Sequence, residues 1–176
     1  MKCGRRDLTN KAVNMTLLYS DKSSSRLQYT AAFIFKEILQ TPYSITTHEK
    51  GFSEFGGIKL NYSDKKITSN ELHIPNCGLL FETGIKQHSI EINQVEDFKI
   101  LFQSSSKEDN EFPFDIFSAT FYFLSRYEEY LPHEKDKYGR YSHLNSLAYN
   151  QNFLHIPLIC FVQQNLHVGF RQKNQV

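Results

Sequence analysis

Met15-Thr16-Leu17-Leu18-Tyr19-Ser20, then Ser25 to Leu39, then Tyr43-Ser44-Ile45-Thr46-Thr47: the order of these three stretches decides the fold. The first is a short apolar run without alternation, as expected of a strand buried on both faces. Asp21 to Ser24 is polar and turn-like. Ser25-x-x-Gln28 fits a capping box, which places a helix start at Ser25. Leu27, Ala31, Ile34 and Ile38 recur at helical spacing, and Pro42 lies beyond the helix stop. The third stretch is rich in β-formers. Strand, helix, strand in this order predicts a parallel pair joined by a right-handed crossover. The fold expected is therefore α/β: a small, mainly parallel sheet flanked by helices, with Rossmann- or flavodoxin-like layering in a single domain.

Beyond this unit, Gly51 to Gly57 reads as a loop and Ile58 to Tyr62 as an alternating strand. Glu71 to Ile74, Leu79 to Phe81 and Phe98 to Phe102 read as short strands, and Ser104 to Glu111 as a polar surface loop. The strongest helical pattern runs from Asp115, a natural cap, to Leu131. Phe117, Phe121 and Leu124 form its core stripe, and Pro132 ends it. Phe112, Phe114 and Phe123 join the same core. A last helix is expected over Leu158 to Leu166, with Pro157 at its first turn. Residues 1–14 read as an upstream segment that does not pack, residues 15–170 as the domain, and residues 171–176 as a tail.

The 176 residues carry 20 basic and 19 acidic side chains, a net charge of +1. That balance speaks against a nucleic-acid partner. The basic group Lys2, Arg5, Arg6 and Lys11 is short and terminal. No apolar run approaches the roughly 20 residues that a spanning helix needs. Cys3, Cys77 and Cys160 are odd in number and lack C-x-x-C spacing, so neither a disulfide framework nor a zinc site is expected. Reduced thiols and the lack of an apolar leader point to the cytoplasm.

No phosphate-cradling glycine motif and no nucleophile elbow occurs in the sequence. Seven histidines are present, none at metal-ligand spacing. His133-Glu134 begins like a zinc helix but has Lys at 137. We therefore expect no catalytic residue, no metal and no cofactor. One constellation stands out: Ser125-Arg126-Tyr127-Glu128-Glu129-Tyr130-Leu131-Pro132. Two carboxylates in the last turn of a helix oppose its dipole and call for a cation. Arg126 lies three residues before Glu129, and Arg140, after the Gly139 turn, is placed to return to the helix end. Arg126, Glu128, Glu129 and Arg140 are thus expected to form a structural clasp. The alternative is a carboxylate pair in a glycan or metal site. Adjacent carboxylates point apart on a helix, which weakens the alternative.

That string, with Pro113-Phe114-Asp115-Ile116-Phe117, Tyr138-Gly139-Arg140-Tyr141, Ser146-Leu147-Ala148-Tyr149, Asn61-Tyr62-Ser63-Asp64 and Gly78 to Ile85, resembles an uncharacterised N-terminal domain of Bacteroidetes-type bacteria. There the domain precedes a polysaccharide deacetylase (NodB-like) catalytic domain. The resemblance spans about residues 15 to 165. It implies a non-catalytic accessory domain of a larger carbohydrate-active hydrolase. Its partners would be the downstream catalytic domain of the same polypeptide and a glycan. The deacetylase motifs, an Asp and a His-x-x-x-His pair, are not in this chain. The other readings are an independent glycan-active hydrolase using Glu128, Glu129 and Arg140, and a protein-interaction or scaffold module.

Overall fold

A computed structural model of the protein describes residues 15–95, 98–104 and 112–142. Four strands, β1 (Thr16–Tyr19), β2 (Tyr43–Thr46), β3 (Ile58–Tyr62) and β4 (Leu72–Ile74), pair in the order β2-β1-β3-β4. Every pairing is parallel; Leu18 lies opposite Ile45 on one side and Leu60 on the other. β1 is central and buried throughout, which is why its sequence does not alternate.

Helices cover both faces. On one face, α1 (Ser25–Ala32) and α3 (Ile116–Leu124) pack over Leu18, Leu60, Tyr62 and Ile74. On the other, α2 (Glu49–Glu54) sets Phe52 against Leu17 and Tyr19, the two rings 5.3 Å apart. The result is one α/β domain with a four-stranded parallel sheet between helical layers. A separate antiparallel pair, β5 (Asn93–Val95) and β6 (Phe98–Ile100), lies outside this sheet.

Several expectations shift. α1 is capped by Ser24, whose Oγ accepts from Leu27 N, one residue before the start read from the capping box. It continues as a π-helical stretch over Phe33–Ile38. Residues 51–57 were expected as loop, yet α2 includes Gly51. Burial of Phe52 against β1 outweighs the roughly 1 kcal/mol that a helical glycine costs. Leu79–Phe81 is a 3-10 turn rather than a strand. Gly78 adopts φ 90°, which turns the chain off β4, and Leu79 and Leu80, adjacent in sequence, both enter the core. Strand alternation would have sent them to opposite faces.

The longest helical expectation is also divided. α3 stops at Leu124; Ser125 caps it and Arg126 takes a left-handed φ of 51°. Tyr127–Tyr130 then forms a separate 3-10 turn. The reversal seats Tyr127 in the core, 5.4 Å from the Tyr122 ring, with its hydroxyl accepting from Lys86 N at 2.8 Å. The expected helix over 158–166, most of the 104–111 loop and both end segments lie outside the described residues.

Gln40, just after the π-helical stretch, is exposed and holds φ 50° while Thr41 N donates back to Phe35 O. A left-handed residue other than glycine is strained there. Gln40→Gly is expected to raise stability in urea unfolding by about 0.5–1 kcal/mol, the relief outweighing the extra entropy of the unfolded chain.

Candidate functional site

In a parallel sheet the connections leaving the carboxyl ends of the strands build the ligand-facing edge. Here that edge comprises Ser20 to Ser24 after β1, Ser63 and Asp64 after β3, and Pro75 to Gly78 after β4. A buried carboxylate fixes it. Asp115 caps α3, with Oδ1 accepting from Ser118 N at 2.9 Å. Its Oδ2 accepts from the Tyr62 hydroxyl and from Cys77 N, both at 2.9 Å. One side chain thus ties a helix start, the end of β3 and the loop after β4 together. Ser118 Oγ lies 3.3 Å from the same Tyr62 hydroxyl.

Burial raises the Asp115 carboxyl above the usual 3.8, against the pull of its donors. Burial also drives the Tyr62 hydroxyl well above its ordinary value. Cys77 is exposed as a residue, but its thiol faces Asp115 and Ser118, and burial first, then the Asp115 charge, push it up to about 12. Such a thiol stays protonated and is a poor nucleophile.

A second buried carboxylate works on the opposite face. Glu71 Oε1 accepts from Asn61 Nδ2 at 2.7 Å and Ile67 N at 2.8 Å, and Oε2 from Thr68 N at 2.8 Å and Thr68 Oγ1 at 3.0 Å. Ser63 Oγ donates to Asn61 Oδ1 at 2.6 Å, and His73 donates from Nε2 to Ser63 O at 2.8 Å. This network holds the helix-free β3–β4 connection against the sheet. Among the described residues no three His, Cys, Asp or Glu side chains come together as metal ligands.

The four residues singled out in the sequence divide into separate pairs. Arg126 forms an ion pair with Glu129. Glu128 accepts from the Tyr141 hydroxyl at 3.1 Å. Arg140 turns to Asp136 within its own loop, donating from Nε and Nη2 to Oδ2 at 3.2 and 3.1 Å. The amide of Arg140, then that of Tyr138, hold the Asp136 carboxyl below its usual range. The helix-dipole argument for the two glutamates falls away, because they open a 3-10 turn instead of closing α3. Asp136 was not singled out; its signal was the Asp-x-x-Gly spacing of a turn, with Gly139 at φ 77°. Asp115 was read only as a cap, and Glu71 only as a strand start.

Fold and site together define a three-layer α/β domain with two internal acid pins, Asp115 at the carboxyl edge of the sheet and Glu71 along the β3–β4 connection. The chain belongs to DUF7033, a family of unknown function, whose model matches residues 16–175. No curated protein and no solved structure matches it.

Asp115→Ala removes a helix cap and strands the buried Tyr62 hydroxyl and the partly buried Cys77 amide; it is expected to cost about 3 kcal/mol in urea unfolding. The pH dependence has a definite sign. Because the folded chain holds the Asp115 proton more tightly than the unfolded one, ionisation weakens the fold as pH rises from near 3.8 through the raised folded value. The stability of the protein minus that of Asp115→Asn should fall across this window and level off above it. A rise there would mean that the three donors outweigh burial.

Arg140→Ala and Glu129→Ala should act additively in a thermal double-mutant cycle, since the two sit in separate pairs. A coupling beyond error would show that they share a partner.

Proposed function

We propose that this chain is the non-catalytic N-terminal accessory domain of a larger carbohydrate-active hydrolase of the polysaccharide deacetylase type. It supports the catalytic domain, or that domain's hold on a glycan. The sequence resemblance supplies the context. The observation that carries the non-catalytic part is the commitment of the buried reactive groups. Asp115 and Glu71 are each saturated by donors of the chain itself, and the Cys77 thiol is held protonated. General acid–base or nucleophilic catalysis needs a group facing the substrate with a titration near working pH. These groups face inward and have scaffolding work to do.

Reading the gene past codon 176 tests the context. The proposal expects an in-frame segment with an Asp and a His-x-x-x-His pair; an immediate stop codon contradicts it. The activity follows the same line. With zinc, cobalt or nickel added, the chain alone should release no acetate from acetylated glycans, whereas the joined polypeptide should. Acetate release by the chain alone would overturn the accessory role.

A further inference from the structure

The strand order reverses at β1: its connection leads through α1 to β2 on one side, while β3 and its connection to β4 lie on the other. The two connections part at the carboxyl ends of β1 and β3, a topological switch point, and the crevice outside such strand ends is where open parallel sheets take ligands. The β1–α1 connection that borders it is Ser20-Asp21-Lys22-Ser23-Ser24, three hydroxyls and a lysine in five residues. It delivers the chain into the N-terminus of α1. Ser24 Oγ already serves Leu27 N, so the amides of Ser25 and Arg26 have no intrahelical acceptor.

A second observation is independent of the helix end. Ser20 is wholly enclosed, and its Oγ has no hydrogen-bond partner among the described residues. Tyr19 points to the α2 face, where its ring meets Phe52. Ser20 follows it and still pairs with β2, its N donating to Thr46 O at 3.1 Å. Strand alternation therefore turns the Ser20 side chain to the α1 face, at the β1 end from which α1 departs. A buried hydroxyl without a partner calls for one from outside the chain.

We propose that this crevice binds the phosphate group of a small molecule. The donors are Ser20 Oγ, the Ser25 and Arg26 amides and the Lys22 ammonium. A helix N-terminus favours an anion through both its free amides and its dipole. Lys22 is exposed, and its nearest carboxylate, Asp21, stands 4.0 Å away. Asp64, the acid at the end of β3, is engaged by Asn76 Nδ2 at 2.7 Å. The Arg26 guanidinium is not among the donors: it is held by the carbonyls of Leu79 and Gly84, which fixes the first turn of α1 over the crevice. This site does not depend on the accessory role proposed above.

Inorganic phosphate, titrated into the isotope-labelled chain at constant ionic strength with chloride as the balancing ion, tests it by amide NMR. Saturable shifts should centre on Ser25 and Arg26. Ser20→Ala and Lys22→Ala should each weaken binding by roughly tenfold, the worth of one hydrogen bond to a charged group. Ser20→Ala should leave the unfolding midpoint unchanged or higher, because it removes a hydroxyl with no partner. Lys22→Ala is an exposed change and keeps the test valid if Ser20→Ala fails to fold. Non-saturating shifts, saturable shifts centred elsewhere, or undiminished binding by Lys22→Ala would each overturn the site. So would a loss of stability in Ser20→Ala with phosphate affinity intact, which would mean that the hydroxyl serves a structural water.

Discussion

Asp115 is the constraint on which the rest depends. A carboxylate with no exposure is costly unless its oxygens are met by donors. Here the donors come from three different elements: the first turn of α3, the last residue of β3 and the loop after β4. Satisfying the charge therefore fixes the direction of α3 and the path of the chain after β4 at once. Tyr62 is the hinge of this arrangement. Its ring lies 4.9 Å from Phe117 and 5.8 Å from Phe81, so the apolar core presses the hydroxyl toward the acid. Glu71 does the corresponding work on the other face, where the β3–β4 connection has no helix to hold it. Two buried acids thus take the place of longer secondary structure around a sheet whose strands have only three to five residues.

The parallel core was legible because its signals are local. A non-alternating run at 16–19, a helical period from Leu27 to Ile38 and a β-rich run after Pro42 need no knowledge of the rest of the chain. The failures are all tertiary. Gly51 argues against a helix, and only the burial of Phe52 on β1 decides otherwise. Leu79-Leu80-Phe81 is a good strand by composition, and Gly78 in a left-handed conformation makes it a turn. Arg126 breaks a helix that periodicity carries on to Leu131, because a left-handed arginine has no sequence signature. For the candidate site the same division holds. Asp115 was visible as a cap, since a cap needs only the next three residues. Its bonds to Tyr62 and Cys77 cross 53 and 38 positions of sequence, and no spacing rule reaches that far. Arg140 was placed near the glutamates by charge alone, and the nearer Asp136, with a turn amide geometry to match, holds it instead.

These features divide the molecule by purpose. The buried acids Asp115 and Glu71 are bonded within the chain itself. Ser20, Lys22 and the start of α1 lie on the carboxyl edge of the sheet but outside the hydrogen bonds of Asp115 and Glu71.

The claim that Asp115 holds the edge together is tested most directly at Cys77. Its residue is exposed, and its amide has Asp115 Oδ2 as acceptor. In native-state amide hydrogen exchange, the account predicts that the Cys77 amide exchanges as slowly as that of Ser118 in α3, through global unfolding. A Cys77 amide that exchanges at the rate of an open loop while Ser118 stays protected would contradict it.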